Sequence, residues 1–205
     1  MNYIRLADAA HIYPGWQAPP QSPRGVTDGL PTISVKDITD GYVVADGLER
    51  VSITVPGRVD RYLVQPGDVL VACRGTVPKI AVVPPDLAGA LLTSTLIGVR
   101  TDGRLLAEVL FLYLRSPSGQ KALLSRVRSG TQQIALAPRD IAQLEVPLPP
   151  MDVQQRIADL VQTAERQYAA AEKAGHLRRE IAYHLALESM EGRGGRPRGR
   201  HSAAS

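Results

Sequence analysis

The chain is 205 residues long, 44% apolar and 21% charged, which is the size of one domain with an appendage and excludes wholesale disorder. Its formal charge is +4, but four of the 24 basic residues and none of the 20 acidic ones fall in Gly192–Ser205, so the rest of the chain is balanced. One cysteine, Cys73, excludes an internal disulfide and a cysteine-based zinc site.

In chain order, residues 1–100 suggest short strands and turns. VSITV (51–55), RYLV (61–64), DVLVAC (68–73), KIAVV (79–83) and LLTSTLIGV (91–99) are rich in aliphatic and β-branched residues. Pro56-Gly57, Pro66-Gly67-Asp68, Gly75, Pro84-Pro85 and Asp102-Gly103 separate them as turns. The Pro- and Gly-rich stretch Pro14–Pro31, which holds Trp16, reads as an irregular loop. Trp16 either anchors that loop or stacks in an interface.

After residue 100 the period changes. Leu105, Leu106, Val109, Leu110, Leu112 and Tyr113 predict an amphipathic helix with Asp102 as its N-cap. Ser116-Pro117 starts a second helix, with Pro117 at its first position and Ser129-Gly130 ending it. A short helix starts at Pro138, and LEVPLPP (144–150) is extended because proline excludes helix there. From Met151, Ile157, Leu160, Ala164, Tyr168 and Ala171 recur at spacings of 3 and 4, and Leu177, Ile181 and Leu185 continue the stripe. No proline interrupts 151–190, so the helix predicted there is about 60 Å long. Its apolar face needs a partner helix, from another chain or from a turn near Gly175 that folds it back. The fold class is α+β. The expected organisation is a mixed domain over 1–150, a long helix over 151–190 and a disordered basic tail over 191–205.

Enzyme signatures are missing. There is no G-x-G-x-x-G between a strand and a helix, no Asn/Asp-Pro-Pro-aromatic element, no Asp/Glu-x-Lys pair and no G-x-S-x-G. His176 and His184 share a helix face but stand too far apart for one metal, and Cys73 ends an apolar strand as a buried thiol. No catalytic residue, cofactor or metal is expected. No apolar run approaches a membrane span and no signal peptide is visible, so the cytoplasm is the expected location.

One electrostatic feature stands out. Between Glu108 and Asp140 there is no acid, while Arg115, Lys121, Arg126, Arg128 and Arg139 all lie in that window. SGTQQ (129–133) lies there too. Arginines and lysines hold phosphates, Ser129 and Thr131 add hydrogen bonds, and a glutamine such as Gln132 or Gln133 matches an adenine edge. The competing reading is a solvated helix face beside an ordinary loop.

The residues as a whole resemble a family. LVQPGDVLVACRG (63–75), LLTSTLIGVR (91–100), VLFLYLRSPSGQKALLS (109–125) and SGTQQIALAPRDIAQLEVPLPPMDVQQRIADLV (129–161), in that order, are similar to the specificity (S) subunit of type I restriction–modification systems. The opening RLADAAHIYPG (5–15) and PTISVKDITDGYV (31–43) are similar too. The likeness runs along nearly all of 1–190 and is most specific in the Ile-x-x-Leu-x-Val-Pro-Leu-Pro-Pro…Gln-x-x-Ile run. Where the family often has Glu-Gln ahead of its spacer helix, this chain has Gln154-Gln155. A whole S subunit has two target-recognition domains and two spacers, and this chain has room for one of each.

The resemblance implies a non-catalytic half-subunit that recognises double-stranded DNA. Two copies would pair through their spacer helices as a homodimer, read a bipartite site and dock an N6-adenine methyltransferase subunit that carries S-adenosylmethionine. An ATP-dependent restriction subunit is a further implied partner. The expected base readers are Arg74, Thr76, Lys79, Gln132, Gln133 and, more weakly, Lys36, because Arg or Lys to guanine and Gln to adenine are the fitting pairs. Arg74 and Lys79 would otherwise be solvated turn residues. Phosphate contacts are expected from Arg115, Lys121, Arg126, Arg128, Ser129, Thr131 and Arg139. The dimer and methyltransferase interface is expected at Ile157, Leu160, Ala164, Tyr168, Ala171, Leu177, Ile181 and Leu185. The alternative is an accessory DNA-binding or adaptor protein of another phage-defence system, one that recruits or regulates a nuclease.

Overall fold

Strands whose sequences are almost wholly aliphatic form the buried centre of the sheet, because they lose most by staying in water. The structure, a computed structural model, describes residues 2–19, 25–53, 57, 59–75, 78–126 and 134–190. In chain order its strands are β1 (Tyr3–Arg5), β2 (Ala10–Pro14), β3 (Leu30–Ile33), β4 (Ile38–Thr39), β5 (Tyr42–Val43), β6 (Arg50–Val51) and β7 (Val69–Ala72). They continue as β8 (Arg74–Gly75), β9 (Ile80–Val82), β10 (Leu91–Leu92), β11 (Leu96–Thr101), β12 (Ile134–Ala135) and β13 (Glu145–Pro147). The helices are α1 (Ala107–Arg115), α2 (Pro117–Leu124), α3 (Pro138–Ala142) and α4 (Met151–Met190). The chain divides into two compact units, Met1–Asp159 and Leu160–Ser205.

In the first unit the main sheet runs β2-β11-β7-β9, antiparallel throughout. Every residue of β7 is at most 1% exposed, which is why VLVA shows no polar alternation. A smaller sheet runs β10-β3-β6, with β10 parallel to β3. The stretch LLTSTLIGV is therefore two strands in two sheets. The chain leaves one sheet at Thr93 and joins the other at Leu96. The Thr93 amide donates to Ile33 O, and the Leu96 amide to Thr93 O. Alternation alone does not show that break, because both halves are equally aliphatic.

RYLV is not a strand. Asp60–Tyr62 is a 3-10 turn, and the chain only brushes a sheet at an isolated Leu63–Leu91 bridge. The amides of Tyr62 and Leu63 bond back to Val59 O and Asp60 O instead of to a neighbour. Of VSITV, Val51 alone ends a strand, Ser52 and Ile53 lie outside one, and 54–55 fall outside the described residues.

Helix α1 starts at Ala107, later than the sequence predicts, and Asp102 does not cap it. The carboxylate of Asp102 is turned to its own loop, accepting from the Arg104 amide at 3.0 Å and pairing with the Arg104 guanidinium. Gly103, at φ +90°, holds that turn ahead of the helix. The pair pulls the Asp102 carboxyl below its ordinary range, the side-chain hydrogen bond first. Ser116 does cap α2, its Oγ accepting from the Gly119 amide at 3.1 Å, with Pro117 at the first position as the sequence predicts. A Cβ on Gly119 would meet Tyr113 O at 1.9 Å, so only glycine lets α2 lie this close to the end of α1. The predicted end of that helix, Ser129-Gly130, lies outside the described residues.

The predicted extension over 144–150 is seen as β13, antiparallel to β1. Helix α4 runs unbroken through Gly175, so the fold-back turn considered there does not form. None of the described residues from Leu160 to Met190 is buried.

Candidate nucleic-acid interface

A buried ion pair ties the main sheet together at the Asp68 end of β7, and the candidate residues Arg74 and Lys79 lie past its Ala72 end. Asp68, 1% exposed at the end of the Pro66-Gly67 turn, takes two hydrogen bonds from Arg100 on β11, each at 2.8 Å. It also accepts the Tyr13 hydroxyl from β2 and the Gln65 amide at 2.8 Å. A buried carboxylate is tolerable only when its lone pairs are filled, and here they are. Burial, and then the neighbouring Asp68, raise the Tyr13 hydroxyl far above its ordinary value, so it donates and stays neutral. The Tyr13 ring covers Gly98, where a Cβ would meet ring carbon Cζ at 2.2 Å. The sequence shows Pro-Gly-Asp only as a turn, because the partners lie 55 and 32 residues away.

Strands β7 and β9 extend from that ion pair and carry the candidates between them. Arg74 lies on β8, exposed, opposite Ala135 of β12. Lys79 has an exposed residue surface but a committed ammonium, which donates to Ile38 O at 2.7 Å and Val35 O at 3.3 Å. It therefore ties the 35–38 segment to β9. Lys36 stands on that segment with its Nζ 3.4 Å from Glu49. Thr76, Arg128, Ser129, Thr131, Gln132 and Gln133 lie outside the described residues. Burial raises the Cys73 thiol above its ordinary value, and its Sγ donates to Ser94 O at 3.2 Å.

The described part of the basic window is spread over α1, α2, the turn after α2 and α3. Arg115, on the last turn of α1, lies over the Phe111 ring at 5.0 Å. Lys121 is exposed on α2. Arg126 donates to Gln143 O at 3.1 Å, and Arg139 on α3 stands 3.9 Å from Asp140. All four are exposed at the residue level, as phosphate contacts require. Trp16 is fixed through its backbone. Its amide donates to Leu92 O at 2.6 Å, and its carbonyl accepts the Ser94 amide at 2.9 Å. It lines a cleft of about 260 Å³ with Thr32, Glu49 and Thr93–Thr95. Among the described residues there is no group of acids, histidines and cysteine able to hold a metal, and no helix long and apolar enough to cross a membrane.

Of the interface candidates, Ile157 is half-buried beside Ala158, which is 2% exposed. Ala164 and Ala171 are exposed, and so are the large side chains Leu160 (72%), Tyr168, Leu177, Ile181 and Leu185. One residue at the start of α4 is more deeply built in than the sequence suggests. Gln154 is 1% exposed, and its side-chain amide bonds to three backbone groups of two other segments. Its sequence signals were its place in the Pro-Pro…Gln-x-x-Ile run of the resemblance and a polar residue in the first turn after Pro149-Pro150, neither of which shows its burial.

Residues 2–176 match the family model of the type I restriction modification DNA specificity domain. No curated protein matches the chain. Among solved structures, one similar chain comes from work on complex assembly and conformational transition of the type I R-M system, at 24% identity and TM-score 0.61. The match covers 90% of this chain and 43% of that one. The HsdS subunit of Thermoanaerobacter tengcongensis is similar at 24% identity and TM-score 0.55, over 84% of this chain and 39% of that one. The type I S subunit of M. genitalium is similar at 13% identity and TM-score 0.62, over 91% of this chain and 45% of that one. At these identities the likeness is one of fold. The chain spans less than half the length of each of these solved chains.

Proposed function

The chain belongs to the type I restriction–modification DNA specificity family, and on that premise we propose that it is a non-catalytic subunit that recognises double-stranded DNA by sequence. The first unit is one target-recognition domain. Helix α4 is the spacer, pairing with the α4 of a second copy so that two domains read a bipartite site. The observation that carries this reading is the span of the family match, which starts at residue 2, crosses the whole mixed domain and enters α4 as far as residue 176. The exposed apolar side chains of α4 support the pairing, since a stripe of this kind is stable only when covered.

In this mechanism the Tyr13–Asp68–Arg100 cluster ties β2, β7 and β11 together at the Asp68 end of the sheet that carries Arg74 past its other end. Arg74 then reads a base edge in the major groove, and Thr76, Gln132 and Gln133 are the further base readers of this reading. Lys79 holds the 35–38 segment that carries Lys36. Arg115, Lys121, Arg126 and Arg139 hold phosphates, with Arg128, Ser129 and Thr131 completing that set. A two-fold dimer reads an inverted repeat, its half-sites about one helical turn of DNA apart. An adenine methyltransferase docks on the assembly and performs the chemistry.

Selection from a randomised duplex library tests this, with the chain alone and with the adenine methyltransferase encoded beside it, in about 150 mM salt to suppress non-specific binding. Two short half-sites in inverted repeat at one gap are expected. A single unpaired motif would remove the symmetric dimer. No enrichment in either sample would remove DNA recognition.

A further inference from the structure

Lys36 is an exposed side chain on a turn that is tied at both ends. Its backbone lies in the 3-10 turn Val35–Asp37, just ahead of β4. Ser34 donates from both its amide and its hydroxyl to the Asp37 carboxylate, at 2.8 and 2.7 Å. Thr95 Oγ1 accepts the Val35 amide at 3.1 Å, and the Lys79 ammonium bridges the carbonyls of Val35 and Ile38. Facing this turn, Glu49 is set by Thr32, whose amide and hydroxyl both donate to Glu49 O at 2.8 Å. The two side chains meet with Lys36 Nζ 3.4 Å from Glu49 Oε2. The other carboxylate oxygen takes no hydrogen bond from a described residue. Thr95 also accepts the Cys73 amide through its carbonyl at 3.0 Å, which sets the couple at the same end of the main sheet as Arg74. An exposed ion pair adds little to stability. A carboxylate at a DNA-facing end repels phosphates, and what it can do there is accept from a base amine.

We propose that Lys36 and Glu49 read one base pair as a couple, Glu49 accepting from an exocyclic amine and Lys36 donating to the keto oxygen beside it. This rests on the DNA-recognition reading above and adds Glu49 to it. In the major groove a C·G pair sets the cytosine N4 amine beside guanine O6, and an A·T pair sets the adenine N6 amine beside thymine O4. The two groups hydrogen-bond one another, so they stand about 2.9 Å apart. The charged atoms of the couple are 3.4 Å apart, so each can face its own target. A carboxylate beside an ammonium complements an amine beside an oxygen in one orientation only. Turned over, the base pair sets oxygen against carboxylate and amine against ammonium. The couple therefore distinguishes which strand carries the amine, and does not separate C from A.

The test repeats the library selection with methyltransferase for the unaltered chain, for the exchange Lys36→Glu with Glu49→Lys, and for Glu49→Gln, with a thermal melt of each. The exchange keeps the net charge, and with it the salt-sensitive attraction to phosphate, while reversing the couple. One position of the half-site is expected to invert, C or A on one strand becoming G or T, while the other positions keep their bases. A glutamine offers both acceptor and donor, so Glu49→Gln is expected to lower the amine-over-keto preference at that position by about tenfold. A folded exchange variant that enriches the unaltered half-site at every position overturns the proposal. So does a folded exchange variant that enriches no site, since one misread base pair does not erase a whole target. If the exchange does not fold, Glu49→Gln decides, and an undiminished preference at every position overturns the proposal. Loss of fold in both variants overturns it too, by making the couple structural. If the unaltered chain enriches no site, the DNA-recognition reading itself fails, a result distinct from an enriched site that ignores the exchange.

Discussion

The two units handle their apolar side chains in opposite ways. In the first, Leu70, Val69, Leu91, Leu105 and Leu110 are wholly enclosed, and among the described residues no buried side-chain polar atom lacks a partner. In the stretch Leu160–Met190 nothing described is buried, and Leu177, Ile181, Leu185 and Leu187 are each more than half exposed. The first unit closes its own hydrogen bonds and its own core. The second closes only its backbone, since a helix satisfies its amides internally whatever surrounds it. Helices in water gain most of their stability from packing an apolar face. The contrast separates a core the first unit closes for itself from an apolar stripe that, on the proposed pairing, a second copy covers.

The sharpest way to break that contrast is to charge the helix. Leu177→Glu with Ile181→Glu is expected to weaken self-association by at least about a thousandfold, because both copies lose two apolar contacts of about 1.5–3 kcal/mol each. The melting of the first unit should not move. Sedimentation and calorimetry on the same samples check both halves, and a stable dimer after the change would place the interface elsewhere.

Next in size is Asp68→Asn, which acts only on the first unit. It leaves Arg100 without its anion and is expected to cost about 3 kcal/mol in denaturant unfolding, since removing one partner of a buried pair is strongly destabilising. Arg100 is 32% exposed, so water recovers part of the loss. Unchanged stability would show the pair to be ornamental. Smaller still is Ser116→Ala, expected to cost about 1 kcal/mol through the lost cap.

The smallest effect is alkaline. The Tyr13 hydroxyl titrates higher in the folded chain than the ordinary 10.0. The folded state then holds a proton that the unfolded state gives up. The stability this adds is complete below pH 10 and is lost as pH rises above it. Tyr13→Phe should flatten the fall in melting temperature above pH 10, and an unchanged slope would place the loss in other groups.

How much of this was legible depends on distance along the chain. Helices α1, α2, α3 and α4 came from local signals: period, Ser116-Pro117 and the absence of proline after Met151. The extension at 144–150 came from prolines alone. The misread strand at 61–64 and the divided stretch at 91–99 depend on which neighbour is present, which no window of the sequence contains. The same holds at the candidate site. Arg74 and the basic window are visible as residue types. That the Lys79 ammonium is taken by Ile38 O and Val35 O, or that Asp68 meets Tyr13 and Arg100, follows only from the tertiary arrangement.

Ser116 joins two helices through one residue. Its amide donates to Leu112 O and Tyr113 O, closing α1, while its hydroxyl donates to Tyr113 O and takes the Gly119 amide that opens α2. Fraying either helix from this end strips bonds from the other. The two therefore open as a single cooperative unit, and their amides should exchange with solvent at one shared free energy instead of two. A segment carrying Arg115 and Lys121 on such a joint presents both charges together or neither.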